Sequence, residues 1–209
     1  MSGVIYGVGL GPGNPELMSV KADRLVRGAK HIAYFRKAGR KGQSRQIVEG
    51  MLAEGVTEFA MEYPVTTEIP LSDPRYNEIL SAFYDDCTAH LQTLTAQGHD
   101  VIVLCEGDPF FYGSFMHLYT RLDGEAEVVP AITGMSAAYT TTGQPITWGD
   151  DIMSVLMATL PEGTLSEAMQ AADAIIVMKI GQNIDKVRRA LKAAGKFDAA
   201  WLVEYASMP

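Results

Sequence analysis

The run Val101-Ile-Val-Leu-Cys105 is apolar at every position and stops abruptly at Glu106-Gly107-Asp108-Pro109. A run this short, without polar alternation and closed by turn residues, reads as a strand buried on both faces, which requires a parallel sheet covered by helices. The pattern recurs along the chain. Val4 to Val8 ends in glycines, Ile32 to Phe35 and Ala126 to Val129 are further strand-like runs, and Thr57 to Met61 is a candidate for another. Helical segments lie between them, over Glu16 to Ala29, Gln46 to Glu54, and from Asp73-Pro74 to Gly98. Asp73 supplies an N-cap, Pro74 the first helical position and Gly98 a stop. Strand followed by helix throughout gives α/β architecture.

Around Gly143 to Asp151 the texture turns polar, and a domain boundary is expected there. An N-terminal α/β domain then spans residues 1–143 and carries the glycine-rich loops, and a C-terminal α/β domain spans residues 144–209. In the second, strands at Ser154–Ala158, Ala174–Ile180 and Ala199–Tyr205 alternate with helices at Leu165–Ala172 and Ile184–Ala194. The chain stops directly after a buried-type strand, so this domain is expected to be incomplete at its C-terminal end.

Several function classes drop out. No apolar run approaches the roughly 18 residues that cross a bilayer, and the N-terminus lacks the basic segment of a signal peptide. Cys87 and Cys105 have no metal-ligand spacing and read as buried, reduced thiols, so a cytoplasmic protein without a metal is expected. A formal net charge of -8 disfavours nucleic acid. One local cluster runs against that sign: Arg36, Lys37, Arg40, Lys41 and Arg45 share a stretch without an acid. It is either a solvated basic loop or a binding surface for a small anion.

Three loops follow strands, and parallel strands bring such loops to one edge. The first, Gly7-Val-Gly-Leu-Gly-Pro-Gly-Asn-Pro15, fails the dinucleotide fingerprint because Pro12 stands where Gly or Ala is required. That argues against a nicotinamide oxidoreductase. In the second, Gly107 permits close backbone approach of a ligand, Asp108 offers acceptor oxygens, and Phe110, Phe111 and Tyr112 can wall an apolar pocket. The third is Pro130-Ala-Ile-Thr-Gly-Met-Ser136. Together they imply one cleft.

These three loops, with Lys21-Ala22 after the first, resemble the motifs of the tetrapyrrole (class III) S-adenosylmethionine-dependent methyltransferases, with Ala131 where that family usually has Gly. The resemblance spans essentially the whole chain. It implies two α/β domains with S-adenosylmethionine in the cleft between them, S-adenosylhomocysteine as product, and a homodimer. It puts Pro12, Gly107, Asp108, Phe111, Tyr112 and Thr133 near the cofactor, with Met178, Lys179 and Ala206 reaching it from the C-terminal part. Gly107 to Phe115, Val177 to Ile180 and Val203 to Met208 are similar to the branch that methylates C20 of a corrin precursor. The implied partner is an anionic tetrapyrrole, with no nucleic acid and no membrane. Its carboxylates would be clamped by Arg36, Lys37, Arg40, Lys41 and Arg45, since guanidinium forks suit carboxylate geometry. Candidates for removing a proton late in the reaction are Glu106 and Tyr112, with His117 also within the region but more in keeping with packing. A cobalt-loaded substrate, another ring carbon, a modified protein side chain and a non-catalytic S-adenosylmethionine-binding module remain open.

Overall fold

The computed structural model describes residues 2–66, 69, 73–124 and 126–208. By contacts the chain divides into one unit of Met1–Gly134 with Tyr205–Pro209 and another of Met135–Glu204.

The first unit is built on five strands, β1 (Ile5–Gly9), β2 (His31–Lys37), β3 (Thr57–Tyr63), β4 (Val101–Cys105) and β5 (Ala126–Val129). They pair in parallel in the order β3-β2-β4-β1-β5. Its helices are α1 (Val20–Gly28), α2 (Gln43–Ile47), α3 (Pro74–Ala96) and α4 (Phe115–Tyr119). Helix α1 starts later than its apolar pattern suggests. Asn14 and Pro15 set up a 3₁₀ turn over Pro15–Leu17, and Ser19 Oγ then caps the helix by accepting from Ala22 N at 3.1 Å. Helix α2 likewise occupies Gln43–Ile47 rather than Gln46 to Glu54.

All five residues of β4 are buried, as its sequence requires. One face of the sheet packs Val8, Leu10, Ile32, Tyr34, Ile102 and Leu104 against Ala22 and Val26 of α1 and Ile47 of α2. The other face packs Ile5, Ala33, Met61, Val101, Val103 and Cys105 against Tyr84, Cys87 and Leu91 of α3 and Phe115 and Leu118 of α4. Both cysteines are free and buried. Burial pushes the Cys87 thiol up to about 12 and Cys105 up as well, so neither forms a thiolate near neutral pH.

Adjacent strands β1 and β4 therefore send their chains to opposite faces, β1 into α1 and β4 into α4. That reversal makes the carboxyl edge between them the topological switch point, where open α/β sheets take ligands. Gly7 is what lets α4 lie so close: a Cβ there would overlap the Phe115 ring.

The second unit carries β6 (Met153–Met157) and β7 (Ala174–Met178), paired in parallel, with α5 (Gly134–Thr142), α6 (Glu162–Ala171) and α7 (Ile184–Ala193). Leu165 and Met169 of α6 pack with Ala158, Val187 and Ala190, and Arg189 forks onto Glu162 at 2.8–3.2 Å. Helix α5, expected at the end of the N-terminal domain, falls in this unit save for its first residue, so the division by contacts precedes the polar stretch at Gly143. The strand expected over Ala199 to Tyr205 is absent. Phe197–Ala199 is a 3₁₀ turn, and Trp201 and Leu202 are exposed. An apolar run becomes a strand only with a neighbour to pair with, and none lies beside it among the described residues. No helix among these residues is long and apolar enough to cross a membrane.

Gly7→Ala should destabilise the protein by about 1–3 kcal/mol through overpacking against Phe115. Gly28→Ala, with nothing within 4 Å of the new Cβ, should be neutral or stabilising by roughly 0.5–1 kcal/mol. Urea midpoints at constant slope check both.

Candidate functional site

The pairing of β1 with β4 continues past the sheet into the loops. Leu10 N donates to Cys105 O at 2.9 Å, and Gly107 N donates to Gly11 O at 2.8 Å, forming an isolated bridge between two glycines. A Cβ on Gly9 would lie 2.6 Å from Ala131 Cβ and 2.9 Å from both Gly107 O and Pro109 Cδ. Gly9 is thus where the loops after β1, β4 and β5 meet, and its missing side chain is what allows it.

Asp108 ties the second loop to itself and to the third. Its Oδ1 accepts from Phe110 N and its Oδ2 from Ala131 N, each at 2.9 Å. The sequence offers Asp108 as an acceptor for a ligand hydroxyl or amine. The structure gives both oxygens a backbone partner, and each keeps a further lone pair. Pro12 is buried in the first loop. Thr133 is half-buried in the third. Phe111 is half-buried and meets the exposed Tyr112 edge-on at 5.0 Å between centroids.

The end of the first unit returns to the same loops. Met208 packs on the first loop so closely that a Cβ on Gly13 would stand 2.5 Å from Met208 Cγ. Tyr205 to Met208 forms a turn closed by Met208 N donating to Tyr205 O at 3.0 Å. Ser207 Oγ in this turn is shielded from solvent and has no hydrogen-bond partner.

Backbone strain singles out the same segments. Among the described residues, the non-glycine residues with positive φ are Tyr112 (54°), Lys179 (56°), Tyr205 (54°) and Ser207 (63°). Tyr112 and Lys179 are two of the sequence-derived cofactor candidates, and Tyr205 and Ser207 flank a third, Ala206. Left-handed backbone at non-glycine residues costs of order 1 kcal/mol each and gathers at ligand sites. Met178, at the end of β7, precedes Lys179 in the second unit, which is exposed.

Glu106 leaves β4 immediately before Gly107. Its side chain reaches solvent, yet the surrounding protein desolvates it enough to raise its carboxyl above the ordinary 4.5. His117 stacks on the Tyr84 ring at 4.5 Å and 18°, which gives it a packing role. Ser114, directly after the aromatic loop, hydrogen-bonds the hydroxyl of Tyr63 at the end of β3. Burial raises the Tyr63 hydroxyl far above its usual range, so it stays protonated. Neither Ser207 nor the Tyr63–Ser114 pair stands out from sequence alone, although Ser207 lies inside the Val203 to Met208 motif.

The basic stretch divides. Arg36 pairs with Glu62 at 3.1 Å, Lys41 with Glu49 at 3.1 Å, and Arg45 forks onto Glu58 at 2.8 and 2.9 Å. The Arg45 hydrogen bond holds the Glu58 carboxyl below its ordinary range, and Glu58 in turn raises Arg45. Lys37 and Arg40 are exposed and form no ion pair among the described residues. Among those residues no group of three His, Cys, Asp or Glu is placed to hold a metal ion.

A family model described as tetrapyrrole (corrin/porphyrin) methylases matches residues 4–209. A precorrin-2 C(20)-methyltransferase from Sinorhizobium sp is 44% identical over 100% of this chain and 87% of its own length. Among solved structures, the cobalt precorrin-4 methyltransferase CbiF superposes with a TM-score of 0.67 at 21% identity, covering 92% of this chain and 75% of its own. Uroporphyrin-III C-methyltransferase from Thermus thermophilus, complexed with S-adenosylhomocysteine, gives a TM-score of 0.56 at 20% identity, with 91% and 72% covered.

Asp108→Asn should turn an amino group toward either Phe110 N or Ala131 N and leave that amide without its acceptor. We expect a loss of about 1–3 kcal/mol, with faster hydrogen exchange confined to one of those two amides. Because the folded pKa of Glu106 is raised, its carboxyl binds protons more tightly in the native state. Its stabilising contribution is present below the ordinary value of 4.5 and is lost as pH rises through the folded value. Glu106→Gln should therefore melt higher than the parent at neutral pH, and the gap should close at acid pH. A gap independent of pH would contradict this.

Proposed function

The chain belongs to the tetrapyrrole (corrin/porphyrin) methylases, and from that premise we propose that it transfers the methyl group of S-adenosylmethionine to C20 of precorrin-2 during assembly of the corrin ring. The observation that carries the reading is the coincidence of backbone strain with the cofactor motifs: Tyr112, Tyr205 and Ser207 are left-handed in the first unit, and Lys179 is left-handed in the second. The substrate assignment draws on the 44% identical relative, whose name carries that substrate.

The residues present suit such a cofactor. The loops are drawn together at Gly9, a Cβ on Gly107 would meet nothing closer than Gly134 N at 3.9 Å, and Ser207 Oγ lacks a partner. Pro12, Gly107, Asp108, Phe111, Tyr112, Thr133 and Ala206 are the candidates for holding it in the first unit, and Met178 and Lys179 in the second. When bound, S-adenosylmethionine supplies an electrophilic methyl on a sulfonium. The protein's task is alignment, which can remove several orders of magnitude from the barrier. Phe111 and Tyr112 would shield the cofactor from water, and the remaining lone pairs of Asp108 would accept from its hydroxyl groups. After C20 bonds to the methyl, the proton leaving C20 passes to a carboxylate oxygen of Glu106, whose raised pKa makes it a better base than an ordinary carboxylate.

The substrate's carboxylates meet Lys37 and Arg40. Arg36, Lys41 and Arg45 serve the loop itself by pairing with Glu62, Glu49 and Glu58. The protein acts in the cytoplasm as a homodimer. The exposed Trp148 and Trp201 of the second unit are apolar area that subunit contact would cover.

Calorimetry should give S-adenosylhomocysteine binding with Kd on the order of micromolar, and metal-free precorrin-2 should gain one methyl group at C20. Binding without transfer would make the chain a cofactor-binding module, and transfer only to the cobalt-loaded substrate would move it to the cobalt branch. Changing Lys37 and Arg40 together to Ala should raise KM for precorrin-2 by about tenfold or more while leaving S-adenosylhomocysteine affinity unchanged. Arg45→Ala should lower stability, because it leaves Glu58 without its fork.

A further inference from the structure

At the opposite edge of the first sheet, where the strands begin, a cavity of about 310 Å³ opens between α1 and the turns entering β2 and β4. That volume is at the lower end of small-molecule sites. Its charged lining comes from several elements. Arg24 lies on α1, Lys30 and His31 at the entry to β2, and His99 and Asp100 at the entry to β4, with Tyr6 of β1 also in the lining. The His31 and His99 rings lie 4.5 Å apart, tilted by 41°.

This lining is unbalanced. Asp100 is the only acid among these residues, and its Oδ1 is committed to Val4 N at 2.8 Å. Arg24 and Lys30 have no carboxylate partner among the described residues. In a chain of formal net charge -8, two cations and two imidazoles gathered around one committed acid make this lining locally basic. A second observation falls on a residue of the same lining. His31 Nδ1 is buried and has no hydrogen-bond partner, and a buried polar atom without a partner costs about 1–3 kcal/mol.

We propose that this cavity is a binding site for an oxyanion group, phosphoryl or carboxylate, of a small ligand. Arg24 and Lys30 flank the anion, and the His31 ring, once protonated, adds its charge beside it. The end of α1 contributes Gly28 and Ala29 to the lining, and its dipole places about half a negative charge there. The attraction therefore comes from the side chains, whose two full charges outweigh it, and a third appears when His31 is protonated. Desolvation, then His99 and Lys30, lower the His31 pKa in the empty cavity. An anion beside the ring reverses the balance and favours the imidazolium. Binding thus takes up a proton and strengthens as pH falls, by up to tenfold for each unit by which the occupant raises the His31 pKa. The site is independent of methyl transfer and lies at the edge away from the cofactor loops.

The test uses the full chain at fixed ionic strength, with chloride as the balancing ion. Sulfate, whose charge is constant over the range, is titrated against the histidine ring signals at pH 6 and pH 8, and malonate serves as the carboxylate probe. Saturable shifts of the His31 and His99 signals are expected, several-fold tighter at pH 6 with sulfate. Saturation by sulfate identifies a phosphoryl-type occupant and saturation by malonate a carboxylate. Changing the exposed Arg24 and Lys30 together to Ala should abolish the shifts while leaving S-adenosylhomocysteine affinity untouched. His31→Gln should keep residual binding and lose its pH dependence. Shifts that never saturate with either probe, or that persist in the Arg24/Lys30 double variant, overturn the proposal.

Discussion

Two backbone hydrogen bonds, Leu10 N to Cys105 O and Gly107 N to Gly11 O, extend the union of β1 and β4 beyond the last residues of the sheet. Most of the first unit's functional geometry depends on them. These strands send their helices to opposite faces, and this bridge, with the close approach of Gly9 to Gly107 and Pro109, keeps their departing chains together. With it in place, Gly9 draws the loop after β5 into contact, and Asp108 fixes the contact by accepting from Ala131 N. On the edge so formed a few residues adopt backbone conformations they would not hold alone. Tyr112 is the clearest case. Its left-handed backbone is sustained because Asp108 and Ser114 hold the loop on either side of it.

Much of this was legible in the residues. The apolar run Val101 to Cys105 specifies a central strand and therefore a parallel sheet, and the glycines and prolines after each strand mark the loops. What stays invisible is pairing between residues far apart in the chain. Arg36 to Arg45 contains no acid and reads as a basic patch. Yet parallel pairing sets Arg36 beside Glu62 in register, and Glu58 on the same strand takes Arg45. The local window overstates the free charge because two of the neutralising carboxylates arrive from β3 and the third, Glu49, lies just past the stretch. The strand expected at Ala199 to Tyr205 fails for a related reason, since a strand is a property of two segments and a sequence displays one. The cavity at the opposite edge has no local signature at all. Arg24, Lys30, His31 and His99 belong to separate elements, and only the ends of α1, α3 and β1 bring them together.

The two edges of the same sheet are chemically distinct. At the carboxyl edge the distinctive features are backbone ones, namely glycines, strained turns and amides held by one carboxylate, which suits a ligand recognised by shape. At the amino edge they are side-chain charges around an unpartnered imidazole. Tyr6 and Ile102 face each other across β1 and β4 at that second edge, and the same two strands end at Gly9 and Cys105.

The packing of Met208 on Gly13 has a consequence for how the protein is made. The first loop emerges from the ribosome early, with β1 still lacking both neighbours, since β4 and β5 are synthesised much later. The turn that covers Gly13 comes later still, after the whole second unit. The earliest-made part of the site is therefore the last to be finished. A nascent chain can fold β2 with β3, and then the second unit, while its first loop still waits for the turn at Tyr205 to Met208. A chain released before that turn would keep Gly13 uncovered, however well its sheets had formed.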